Sequence, residues 1–295
     1  MPPRPRPPKR TPRSVVYRRR FVALAVLVAG FAIAWFIVSS FGGKGKSKPA
    51  TTAIVAPRPF KVVFPEGFTR AQMAERVGAV AGIAKHERGR NAALKTSTYL
   101  AGTSRPRREP GFGRKRYPLE GFLFPATYDF TIRTTSAQLV AQQLDAFRVN
   151  WAKVNLHYAS SKNLTPYDVL TIASMIESET AAPEERQLVA AVIYNRLHLH
   201  MALGIDATLR YGLHIPPTEP IHQSQIDSTN PYNTSHKPGL PPTPISNPGL
   251  ASIQAAAHPA HVNFLYYVRK PDKKHHFFTA SYAAFQAYKA AHGYR

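Results

Sequence analysis

The chain has no cysteine, so no disulfide can staple it. Acids are scarce: 16 Asp and Glu stand against 39 Lys and Arg, for a net charge of +23 in 295 residues. Phosphate-loop, HExxH and GxSxG patterns are all absent, so there is no sequence sign of a nucleotide cradle, a helical zinc pair or a nucleophile elbow. The 12 histidines fall at no metal-ligand spacing. His275 and His276, adjacent on one expected strand, would face opposite ways. We therefore expect no metal site and no cofactor.

What is present begins with residues 1–20, which carry eight Arg or Lys and no acid, with proline interspersed. They read as a disordered basic cytoplasmic tail. Residues 21–41 hold 21 residues without a charge. That length suits one transmembrane helix through roughly 30 Å of hydrocarbon, and it is too long for a signal-peptide core. The basic flank places the N-terminus in the cytoplasm and the remainder outside the cytoplasmic (inner) membrane. Residues 42–59 read as a flexible linker. The folded domain is expected over 60–295, with a smaller portion at 60–118 and a core at 119–295.

Beyond residue 20 the chain still carries +15, densest in RPRREPGFGRKR within 85–116. Nucleic acid, an anionic wall polymer or membrane surface, and a plain solvated loop compete for that run. The outward topology counts against nucleic acid.

The centre of the chain is 165–201, TPYDVLTIASMIESETAAPEERQLVAAVIYNRLHLHM. Thr165 can cap a helix with Pro166 in its first position. Val169, Ile172, Ala173 and Ile176 give it a buried stripe. Pro183 restarts the chain as a second helix, with Glu184 and Glu185 in its first turn. Glu177 and Glu179 lie about 200° apart round the first helix, so they flank the stripe on opposite sides. Either one, placed in the last turn beside apolar neighbours, would have a raised pKa suited to general-acid work. The plain alternative is a solvated acidic helix end.

Around this pair, 61–78 reads as strand, turn and helix capped by Thr69, while 81–116 reads as loop-rich. LEGFLFPATYDF at 119–130 is either a core strand and turn or an aromatic wall of a sugar cleft. Residues 136–151 form an amphipathic helix with Leu139, Val140, Leu144 and Phe147 inward. The segment 230–249 has six prolines in twenty residues and must be a long structured loop. A helix at 250–258, strands at 264–268 and 275–278, and a helix at 281–291 complete the reading.

These blocks resemble the endolytic murein transglycosylases (the MltG, or YceG-like, family). The likeness is carried by FPEGFT at 64–69, LEGFLFPATY at 119–128, IASMIESET at 172–180 and ERQLVAAVIYNRL at 185–197. It continues in DATLRYG at 206–212, PYNTSHKPGLPPTPISNPG at 231–249, AAAHPA at 255–260, FLYYV at 264–268 and HHF at 275–277. The resemblance implies an α+β architecture: a single transmembrane helix, then a mixed α/β YceG-like catalytic domain with a reduced LysM-like strand-turn-helix portion. It implies a lyase that cuts the MurNAc–GlcNAc bond of nascent glycan strands and leaves 1,6-anhydroMurNAc ends. Its catalytic acid would be Glu179 of the Glu-Thr pair, with Glu177 as the fallback. Asn195, Asp206, Tyr232, Asn233, Thr234 and His275 would be the glycan-binding candidates. Each also has a plain reading as a local hydrogen bonder. Peptidoglycan strands, the membrane and wall synthases are the expected partners, and nucleic acid is not. Three departures stand out: Gly204 and Ile205 where the family carries polar residues, Ala126 where it carries Asp, and no histidine near Ala284. The competing expectation is a catalytically weak glycan binder or scaffold.

Overall fold

The computed structural model describes residues 59–294. The expected tail, membrane span and nearly all of the linker lie outside the described residues. No helix among those described is long and apolar enough to cross a membrane.

Three of the helices begin with reciprocal caps, in which a threonine side chain accepts a backbone N–H three residues on and that residue's side chain bonds back. They are α1 (Arg70–Arg88, capped by Thr69 and Gln72), α3 (Ser136–Trp151, Thr135 and Gln138) and α5 (Pro166–Glu179, Thr165 and Asp168). Strand β1 (Phe60–Val63) pairs antiparallel with β2 (Thr127–Phe130), Phe60 opposite Phe130 and Val63 opposite Thr127. Helices α1 and α2 (Thr96–Ser104) fill the chain between these strands. A short α4 (His157–Ser161) leads into α5.

Helix α5 is the hub. Every residue from Val169 to Ile176 is buried, and the helix packs against both α6 (Arg186–His198) and α9 (Leu250–Ala257). Each fully buried Leu or Ile side chain on it contributes about 1.5–3 kcal/mol. Pro183–Glu185 forms a single 3-10 turn, so Glu184 and Glu185 precede α6 rather than sitting in its first turn. Strands β3 (Tyr266–Arg269) and β4 (His276–Thr279) make a second antiparallel pair, Tyr266 opposite Thr279, and α10 (Tyr282–Ala291) packs on it.

The stretch expected to be loop-rich, 81–116, instead holds the end of α1 and all of α2. Helix α2, TSTYLAGTS, has no side-chain cap; it stands because Tyr99 is fully buried beside Phe64. Residues 206–213, given no element from sequence, form α7 (Asp206–Leu213). A further turn of helix, α8, spans Gln223–Ile226. From 228 to 249 there is no helix or strand.

The aromatics of 119–130 belong to the core. Phe122 packs edge-on against Phe112 and Phe147 and lies over Tyr167, while Leu119, Leu123 and Phe130 are buried as well. Phe112 anchors the arginine-rich loop from below, and buried Glu109 of the same loop is held by Arg148 at 2.9 Å. The loop's cations at 105, 107, 108 and 114–116 are exposed on that rigid base.

Gly121 joins this block to the proline-rich loop. It has φ +88°, and a Cβ there would meet Pro244 Cγ at 2.7 Å. Gly121→Ala is expected to destabilise the domain by about 1–3 kcal/mol through strain and overpacking. Chemical denaturation of the two proteins measures the difference.

Candidate active site

The two glutamates at the end of α5 go to different places, as their spacing requires. Glu179 is the last residue of α5 and is half-buried. The Tyr267 hydroxyl, from β3, donates to its Oε2 at 3.3 Å. The Ala207 N–H, in the first turn of α7, bonds the same carboxylate. The carboxyl therefore faces the positive end of a second helix while leaving the negative end of its own. Burial pushes its pKa up most strongly and the Asp206 charge adds to this. Arg269, Tyr267 and Ala207 pull the other way, and the balance stays raised. Tyr267 is itself half-buried, and its own ionisation is pushed far upward by desolvation and by Glu179, so its proton stays in place. The Thr180 hydroxyl, next along the chain, is buried without a hydrogen-bond partner.

Glu177 turns to another corner. The Gly249 N–H, capping α9, donates to its Oε2 at 2.9 Å. Glu66 lies across from it, and its pKa is raised by burial and by the Glu177 charge, against Arg186. A side chain at Gly249 would run into the Glu66 carboxylate.

Of the other candidates, the structure gathers only Asp206 to Glu179. Asn195 donates its amide to the Val262 and Phe264 carbonyls, both at 2.9 Å, and so fixes the chain entering β3. Tyr232 is half-buried against Tyr211, with its hydroxyl on Thr243 at 2.8 Å. Asn233 and Thr234, expected as glycan contacts, are both buried and make their hydrogen bonds inside the protein. The Asn233 amide donates to the Ile226 and Ser228 carbonyls, and Thr234 Oγ1 accepts from the Ile205 N–H and contacts Thr208. They shape the loop and lock it to the start of α7. The His275 ring is engaged on both sides, by Asp272 at 2.8 Å and Glu184 at 3.2 Å, which ties the hairpin to the turn before α6. His276 does the same from the buried side with Glu185 at 2.7 Å.

The departure at Gly204 and Ile205 fits the local structure. Ile205 is buried, Gly204 has φ +62°, and the Gly204 N–H donates to the Thr234 carbonyl.

Tyr267, Arg269 and the Ala207 N–H were not singled out from sequence. The one available signal was the second tyrosine of FLYYV, whose facing becomes clear only once β3 is paired. Glu120 was also missed as a functional group. It is 2 % exposed and accepts from the Arg70 N–H at 3.0 Å, the Asn247 amide at 2.9 Å and the Tyr211 hydroxyl at 3.0 Å. It thus joins the start of α1, the proline-rich loop and α7.

Burial raises the Glu120 pKa from 4.5 to about 7, although all of its donors favour the ionised form. A carboxyl held above its unfolded value binds its proton more tightly when folded. Its contribution to stability is therefore complete below the unfolded pKa and declines as pH rises towards 7. The span corresponds to a change on the order of 3 kcal/mol. Thermal melts from pH 5 to 8 should show this slope in the native chain, and the slope should shrink in Glu120→Gln. Parallel curves would remove Glu120 as its source.

The profile of the YceG-like family matches residues 43–291. The chain is 35% identical over 227 residues to an endolytic murein transglycosylase of Streptococcus pneumoniae, covering 70% of this chain and 40% of that protein. It is 34% identical over 157 residues to an endolytic murein transglycosylase of Bacillus subtilis, covering 52% and 43%. The chain thus spans about two fifths of the length of the curated relatives it matches. Among solved structures, a yceG-like protein from Listeria monocytogenes superposes with a TM-score of 0.65 at 29% identity, covering 79% of this chain and 76% of that one. With its mixed α/β fold and a family match across most of its length, the chain belongs to the YceG-like family.

Proposed function

We propose that the chain is an endolytic lytic transglycosylase of peptidoglycan, with Glu179 as its one acid and base. The observation that carries this reading is the Glu179 carboxyl itself: half-buried, with its pKa pushed up by burial and by Asp206, yet touched by the Tyr267 hydroxyl and the Ala207 N–H. A carboxyl so placed stays protonated at higher pH than usual and still has donors ready for its anion. The curated relatives named endolytic murein transglycosylase supply the substrate class.

Protonated Glu179 gives its proton to the oxygen linking MurNAc to GlcNAc, and the C1–O bond breaks. The C6 hydroxyl of the same muramyl ring then bonds to C1, and the Glu179 carboxylate takes the hydroxyl proton. A 1,6-anhydro ring results, no water is consumed and Glu179 ends as it began. Hydrolases need a second carboxylate as nucleophile or as base for water; here the substrate's own hydroxyl fills that role. Asp206 keeps Glu179 protonated and steadies positive charge developing on the sugar. Glu177, held by Gly249 beside Glu66, is the weaker candidate.

The same reading puts the domain outside the cytoplasmic membrane, tethered by residues 21–41 with the N-terminus in the cytoplasm. There it would meet nascent strands beside the synthases that make them.

Purified chain on isolated sacculi should release anhydro-ended fragments. Glu179→Gln should lower that rate by about 10²–10⁴-fold, while Glu177→Gln retains most of it; the reverse pattern would move the acid to Glu177. The basic limb of the rate profile should follow the protonated form of Glu179. Tyr267→Phe removes a donor to the carboxylate, so that limb should move to higher pH. Asp206→Asn removes a repelling charge, so it should move to lower pH. Shifts in the same direction for both variants would detach Glu179 from the profile.

A further inference from the structure

One cavity among the described residues has no part of Glu179 in its lining. It is a cleft of about 590 Å³ between α4, α6 and the 259–264 segment, within the usual range for ligand sites of roughly 300–1,000 Å³. Its walls are the rings of Tyr158, Tyr194, His261 and Phe264, and its polar groups include the carboxamides of Asn195 and Asn263. No Asp, Glu, Lys or Arg lines it. In a chain of net charge +23, an uncharged pocket is a marked local exception.

The cleft is built rather than accidental. The Tyr194 hydroxyl is fixed by the Ala256 carbonyl at 2.7 Å, and its ring meets Tyr158 at 5.8 Å. Tyr158 in turn meets the His261 ring edge-on at 5.7 Å. The Asn195 amide nitrogen holds the 262–264 backbone, which leaves its carbonyl oxygen without a protein partner among the described residues. The Asn263 side chain and the His261 ring nitrogens also lack protein partners there, and both residues are exposed.

We infer that this cleft binds a neutral N-acetylated hexosamine unit of the glycan, at a distance from the bond that is cut. The apolar faces of such a ring suit flat aromatic walls. Its acetamido N–H suits the Asn195 carbonyl, and its hydroxyls suit Asn263 and His261. No charged side chain belongs to the lining itself, although the Lys162 Nζ lies over the Tyr158 ring at 5.5 Å. Phe264 lines the cleft and Tyr267 touches Glu179. The two lie three residues apart on one segment, and both rings meet Phe278, at 5.9 and 5.8 Å. The existence of the site rests on the cleft alone; the choice of an amino sugar rests on the peptidoglycan reading above.

The test uses the full chain in detergent micelles and a probe without lactyl or peptide groups, the β-1,4-linked tetramer of N-acetylglucosamine, titrated by calorimetry. Tyr158→Ser and Asn263→Ala should each weaken binding by about three- to tenfold, Asn263→Ala with an unchanged melting temperature, while Glu179→Gln binds as the native chain does. Asn263 is exposed and bonds nothing in the protein through its side chain, so its variant carries the test if Tyr158→Ser folds poorly. No tetramer binding, or binding unaffected by both cleft variants, overturns the inference. So does binding lost only in Glu179→Gln, which would place the tetramer in the groove at Glu179. Anhydro-product release from sacculi is scored separately. Its failure with cleft binding intact would sink the lyase reading and leave the cleft, and the converse would sink the cleft alone.

Discussion

A single buried carboxylate ties the architecture of the site together. Glu120 accepts hydrogen bonds from the backbone at the start of α1, from Asn247 in the proline-rich loop and from Tyr211 on α7. None of these three segments adjoins Glu120 in sequence. A buried acceptor that lost them would face the full cost of desolvation, so the three segments are held at fixed distances from it. The Arg70 Nε lies 3.6 Å from the same carboxylate and balances its charge without a well-formed hydrogen bond. Asn247 extends the node: its carbonyl oxygen accepts from the Leu123 N–H and its amide also donates to the Phe68 carbonyl. Through Tyr211 the constraint passes into α7, whose first turn meets Glu179. The helix that faces the candidate catalytic acid is thus held in place by polar contacts outside α5.

The parts of this arrangement that could be read from sequence are those that local chemistry determines. Thr165 with Pro166 marked the start of α5, and the apolar spacing of Val169, Ile172 and Ile176 gave its buried face. The 136–151 helix and its four inward residues were legible for the same reason. Helix α2 was not, because Thr and Gly within it are poor helix formers and only the burial of Tyr99 holds it. Helix α7 has eight residues, no side-chain cap and a glycine near its end, so its periodicity was too short to register. Asn233 and Thr234 owe their burial to a different cause. Polar residues in a long loop suggest ligand contacts, but a loop without regular structure must satisfy its own backbone, and buried side-chain amides and hydroxyls do that work.

The divergence of Glu177 and Glu179 was legible from helix geometry, but the choice between their environments was not. That choice depends on strand β3, which brings Tyr267 and Arg269 to Glu179 across some ninety residues of chain. No local pattern encodes such a pairing. Both glutamates end up facing the first turn of another helix, α7 for Glu179 and α9 for Glu177. The difference lies in what else is near. Glu177 meets a second acid and a backbone cap, whereas Glu179 meets a phenol, a guanidinium and a carboxylate together.

That mixture is what a group needs if it must serve as acid and then as base on one substrate. A carboxyl raised by burial alone would hold its proton well but would resist becoming an anion. A carboxyl held only by donors would ionise readily and have no proton to give. At Glu179 the opposing influences act on the same oxygens: Asp206 and burial favour the acid, while Tyr267, Ala207 and Arg269 favour the anion. Each of these partners is held by structure beyond the site, Tyr267 and Arg269 by the β3–β4 ladder and Ala207 by the Thr234 clamp and the Glu120 node on α7. Neither protonation state then requires the surroundings to rearrange, so the proton can leave and return within one turnover at little reorganisation cost. On the proposed reading, this explains why one carboxyl suffices where hydrolases use two. The muramyl hydroxyl replaces the nucleophile, and the fixed partners around Glu179 replace the electrostatic contrast that a second catalytic carboxyl would otherwise supply.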